Sequence, residues 1–142
     1  MQKSGVLWIV IIIGCICLTG CKKEVPAAEW MSAPELEYEV VSGKDVPNKV
    51  HERIFLKQKE RFGFTYRDGD SQYIAFGFGT MPTGGYDIQL IAVKDTESKI
   101  VVVAELIAPQ PEEVVSDQES HPSMILKVQG NSKNVQFRFQ EP

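Results

Sequence analysis

Apolar and polar positions along this chain repeat with three different periods. First comes an unbroken apolar run from Val6 to Leu18, behind a short polar start that carries Lys3. The run falls short of the ~20 residues of a spanning helix and has the order of a secretory signal, with an uncleaved N-terminal anchor as the alternative. From Lys22 to Pro34 no period is sustained, and Pro26 and Pro34 interrupt the chain, as in a tether that could reach ~45 Å. Trp30, within it, reads either as an interfacial aromatic or as a residue docked on the domain. Leu36, Tyr38 and Val40 then alternate with Glu35, Glu37 and Glu39, predicting a half-buried strand with an acidic outer face.

A helix is expected next, capped by Asp45, with Pro47 in its first turn and Gly63 ending it. Val46, Val50, Ile54, Phe55 and Phe62 share one stripe at 3.6 residues per turn and are assigned to the core. Lys49, Arg53 and Lys57 lie on its flank as a solvated side partly balanced by Glu60, a docking patch being the alternative.

Beyond Gly63 the period becomes two. Phe64 to Tyr66 and Tyr73 to Phe78 flank Asp68-Gly69-Asp70-Ser71, which reads as a hairpin turn, since it lacks the further ligands of a calcium loop. Further strands are predicted at Tyr86 to Lys94, Ile100 to Ile107, Met124 to Gln129 and Asn134 to Phe139. Short connections imply antiparallel pairing. The fold class is therefore α+β: a small twisted antiparallel sheet or sandwich with one N-terminal amphipathic helix. Residues 1–20 form the signal, 21–34 the tether and 35–142 one domain, and about 120 residues suffice for a core of its own.

Composition sharpens this picture at the N-terminus. Leu18-Thr19-Gly20-Cys21 closes the apolar run with small residues before a cysteine, and so resembles the lipobox of bacterial lipoprotein precursors. That resemblance implies cleavage before Cys21, diacylglycerol on its sulfur and an extracytoplasmic, membrane-anchored domain. Cys15 and Cys17 would leave with the signal, so no disulfide, redox pair or thiolate metal site is expected. The formal net charge of −4 argues against a nucleic-acid partner.

Gly79-Thr80-Met81-Pro82-Thr83-Gly84-Gly85-Tyr86 joins two strands and combines one fixed φ with two freed ones. Such a loop can offer bare backbone groups to a partner, with Thr83 at a solvent-facing tip. Alternatively it is only a tight turn anchored by Tyr86. The segment, with Ile88, resembles the G-x-x-P-T-G-G-Y-x-I signature of the PrcB C-terminal domain family. The likeness continues through Val101 to Glu105, Pro109-Gln110-Pro111 and Gln118-Glu119-Ser120-His121-Pro122, and spans Gly63 to Val128. Glu112 departs from the glycine common after the P-x-P pair. The resemblance implies a non-catalytic exported domain that binds or stabilises another protein, as in a surface protease complex; Pro82, Thr83, Gly84, Gly85 and Tyr86 are the candidate binding residues that the loop itself offers.

Two other functions compete with this one. Pro82 to Tyr86 is also similar to the N-P-T-T-G-Y loop of chagasin-type protease inhibitors, although Met81 replaces the Asn and Gly84 the second Thr. The other is an envelope structural protein without a dedicated client. The loop from Ala108 to Pro122, with Glu112, Glu113, Asp117 and Glu119, is a second candidate surface or a plain solvated loop. Asp117, Ser120 and His121 have the letters of a catalytic triad but share one short loop, and no metal-ligand spacing surrounds His51 or His121. Neither catalysis nor a cofactor is expected.

Overall fold

The structure, a computed structural model, describes residues 24–142. Cys21 and the signal segment lie outside the described residues. Helix α1 spans Ala27–Ser32, strand β1 Glu39–Val40 and helix α2 Asn48–Lys57. Strands β2 (Arg61–Asp68), β3 (Ser71–Phe78), β4 (Asp87–Asp95), β5 (Lys99–Ile107), β6 (Ser123–Gln129) and β7 (Asn134–Gln140) follow. They form two sheets, one in the order β1-β6-β3-β2 and the other β4-β5-β7.

Alternation along the strands builds the layers. Ile74, Phe76 and Phe78 of β3 and Leu126 and Val128 of β6 face Ile100, Val102, Ala104 and Leu106 of β5 across the sandwich. On the other face of the first sheet, Phe62, Phe64, Tyr73, Ala75 and Ile125 pack under Val50 and Ile54 of α2. On the outer face of the second sheet, Val101 and Val103 are covered by Val25 and Trp30. The order is helix, sheet, sheet, helix. Central strand β5 is thus buried on both faces, which explains its unbroken apolar run from Ile100 to Ala104.

Pairing is antiparallel except between β5 and β7, which run parallel with Val101 opposite Gln136. The short link after β6 does not make a hairpin, because β6 stays in the first sheet while β7 crosses to the second. The segment from Pro34 to Val41 closes one side of the sandwich. It bonds along β4, where the Leu36 amide donates to the Val93 carbonyl at 2.9 Å, and then along β6, where Val41 donates to Ile125 at 3.0 Å. Edge strands β2 and β7 meet on the other side. There a Cβ on Gly63 would lie 2.5 Å from the ring of Phe137, so only glycine admits that ring.

Four local expectations change. The helix ends at Lys57 and not at Gly63. Phe62 belongs to β2, and Phe55, on the outward side of α2, is 72% exposed. Asp45 lies in a 3-10 turn, Gly43–Asp45, and Pro47 takes the cap position without a side-chain bond. The expected first strand is reduced to two residues, with Tyr38 and Val40 exposed, because this segment crosses between sheets and presents no single face to a core. Finally, the segment read as a free tether contributes core from Val25 onward. Val25 and Trp30 are buried, and the Val25 amide donates to Gln136 Oε1 at 2.7 Å.

Candidate functional site

The residues between β3 and β4 fold against the long loop between β5 and β6. Met81 and Ser120 form a two-way backbone bridge, with N–H···O distances of 2.8 and 3.0 Å. The Gly84 amide donates to the Ser116 carbonyl at 2.9 Å, and the Ser120 hydroxyl donates to the Thr83 carbonyl at 2.6 Å. Below the bridge, the Thr80 amide donates to the Lys59 carbonyl at 3.2 Å, and the Thr80 hydroxyl lies 3.3 Å from His121 Nδ1. The two loops and the turn after α2 are therefore one hydrogen-bonded cluster.

Packing fixes the conformation. Gly85 has φ +86°, and a Cβ there would lie 2.4 Å from Val115 Cγ1 and 3.0 Å from Pro109 Cβ. Backbone sign and available space both exclude larger residues. Tyr86 is half-buried against the inter-sheet core. Thr83, expected at a solvent-facing tip, is half-buried, and its hydroxyl donates to the Gly84 carbonyl at 2.9 Å. Pro82 is the exposed side chain of the tip.

The structure thus brings the five candidate residues, Pro82, Thr83, Gly84, Gly85 and Tyr86, together with Pro109 and the Ser116 to Ser120 stretch. Residues 112–114 stand away from this contact. Glu112, Glu113, Asp117 and Glu119 are exposed, and Val114 is fully so. Ser120 and His121 turn to Thr83 and Thr80 respectively, so two of the three triad letters serve loop closure, while Asp117 is exposed. No group of three His, Cys, Asp or Glu able to hold a metal occurs among the described residues. Nor is any described helix long and apolar enough to cross a membrane.

Residues 72–129 match the model of the family described as PrcB C-terminal. The chain carries a PrcB C-terminal-like domain. The matched stretch starts inside β3 and ends with β6, so it contains both loops of the cluster, while α1, α2, β2 and β7 lie outside it. No curated protein and no solved structure matches the chain. The PrcB-like stretch is thus the part in which the two loops close on each other. Ser116 bonds to Gly84 through its carbonyl, a role that any residue type could fill and that residue identity does not announce, while its hydroxyl accepts from the Gln118 amide at 3.2 Å within its own loop.

Proposed function

We propose that this protein is a membrane-anchored, extracytoplasmic lipoprotein that binds or stabilises another exported protein, in the manner of a protease complex subunit. Cys21 would carry the lipid. The binding surface would be the closed cluster of Pro82 to Tyr86 with the loop from Ala108 to Pro122. The observation that supports this most is the 2.6 Å bond from Ser120 to Thr83, which holds Pro82 outward on a preorganised tip. Catalysis has no part in this reading, because Ser120 and His121 are engaged in loop closure.

Photo-crosslinking in intact cells tests the reading. A photoreactive residue at position 82 is expected to give a defined adduct with one exported protein, and the same residue at Glu37, across the sandwich, no adduct. With the photoreactive residue moved to the exposed Glu119 on the facing loop, Pro82→Arg should keep the melting profile of its parent, since exposed substitutions usually shift stability by about 0.5 kcal/mol or less, and should weaken adduct formation from that position. Equal adducts from positions 82 and 37 would sink the assignment of the tip. If the captured protein is a protease, its activity stays intact on this reading, whereas competitive loss of activity would replace stabilisation by inhibition.

A further inference from the structure

The way the chain leaves the domain fixes which side faces the place where its N-terminus is held. Val25 is bonded to Gln136 on edge strand β7 and buried beside Trp30. Only Lys22, Lys23 and Glu24 separate it from Cys21, a span of at most ~14 Å. A lipid on Cys21 would therefore hold the β7 edge close to the bilayer and could not reach around to the opposite side.

Charge on the two sides differs. The β2–β7 side carries Arg61, Arg67 and Arg138, and adjoining α2 places the Arg53 guanidinium 4.5 Å above the Phe64 ring of β2, with Lys57 one turn further on. Leu56, 81% exposed, shares a surface depression with Lys57 and Arg61. Glu52, one turn before Leu56 on α2, with Glu60, Asp68 and Glu141, the last paired with Arg61, offsets part of this charge. The opposite side, closed by residues 34–41, exposes Glu35, Glu37 and Glu39, offset in part by Lys94, 3.8 Å from Glu35, and by Lys127, in register with Glu39. In a chain of net charge −4, such a separation gives the domain a direction.

We propose that the β2–β7 side, with the adjoining flank of α2, rests on an anionic lipid surface, Leu56 entering the interface and Arg53 and Lys57 meeting headgroup phosphates. Basic residues around an exposed apolar side chain are the chemistry that anionic bilayers bind. The occupant is lipid and not protein because the short link to Cys21 puts a bilayer against this side. The proposal rests on the anchoring reading given above.

The test uses the full chain, purified from membranes and reconstituted into vesicles of phosphatidylcholine, with or without phosphatidylglycerol. An environment-sensitive thiol dye reports from Leu56→Cys and, as control, from Glu37→Cys. The dye at position 56 should shift to the blue only when phosphatidylglycerol is present. Molar salt should reverse the shift, and Arg53→Glu with Lys57→Glu should abolish it, in a variant shown to be folded by its melting curve. The dye at position 37 should report water throughout. Wild type, its Cys21 acylated, should take no dye. An aqueous spectrum at position 56 in both vesicle types, with wild type unlabelled, overturns lipid docking and leaves anchoring standing. Dye on wild-type Cys21 overturns anchoring and the docking with it. Shielding of position 56 in cells but not in vesicles assigns the surface to a protein and also overturns the proposal.

Discussion

The hydroxyl of Ser120 donates to the carbonyl of Thr83 at 2.6 Å, across 37 positions of sequence. With the Met81 bridge and the Gly84 to Ser116 bond, it makes two loops behave as one body. Ser120→Ala leaves the Thr83 carbonyl, in a half-buried place, without its donor. A loss of about 1 kcal/mol in urea unfolding is expected, because a lost hydrogen bond costs about that much when water can partly replace it. Amide exchange at Met81 and Gly84 should quicken beyond what the global loss explains. Unchanged exchange there would mean that the backbone bridge alone holds the loops.

Gly85 tests the same closure by another route. Gly85→Ala places a Cβ at φ +86° and 2.4 Å from Val115, so it should destabilise by about 2 kcal/mol or more. Adding Val115→Ala removes that contact but leaves the unfavourable φ and the Pro109 Cβ at 3.0 Å. The double variant should therefore recover part of the loss and retain about 1 kcal/mol of it, a non-additivity expected of touching residues. Purely additive losses in chemical denaturation would show that the steric contact carries no energy.

Period-two alternation made the six long strands legible from β2 to β7, since each has a face that must be buried. How they divide between two sheets was not legible. The Gly130 to Lys133 link has the length of a hairpin turn, and what sends β7 away from β6 is remote: the Gly130 amide donates to Asp70, and Lys133 Nζ bonds to Asp95 and Thr96. The helix was read too long because Phe62 satisfies both the helical stripe of Ile54 and the alternation with Phe64. At the candidate site, the PTGGY word and the loop after Pro109 were visible as separate motifs. The half-burial of Thr83 was not, because it is set by Ser120 on the other loop. Trp30 was left open because a six-residue helix is too short to show a periodic stripe.

Docking of that short helix has an energetic consequence. Trp30 is buried to 9% exposure beside Val25, over Val101 and Val103, which are themselves fully buried. Trp30→Ala should cost about 3 kcal/mol, within the usual range for deleting a core tryptophan. A chain beginning at Ala33 loses both covers and bares an apolar strip of β5. It should unfold at lower urea than a chain beginning at Glu24, and should self-associate as its concentration rises. Equal midpoints for the two chains would show that α1 contributes nothing to the core.

At the end of the sandwich where β4 turns into β5, Lys133 Nζ donates to Asp95 Oδ1 at 2.8 Å and to the Thr96 carbonyl at 2.7 Å, while Asn131 Nδ2 donates to the same carboxylate at 3.1 Å. The Lys133 bond, chiefly, holds the Asp95 carboxyl below the usual carboxylate range, against the opposing effect of burial. A carboxyl whose folded pKa is depressed stabilises the protein fully above its unfolded value of about 3.9, and that contribution disappears as pH falls through the folded pKa. Both side chains keep roughly a third of their surface in water, so screening limits the contribution to about 1 kcal/mol. Asp95→Asn should therefore lose about that much at neutral pH and show a shallower decline of stability on acidification below about pH 4. Urea unfolding of both proteins across that range measures the difference, and parallel acid limbs would show that Asp95 contributes nothing to acid lability.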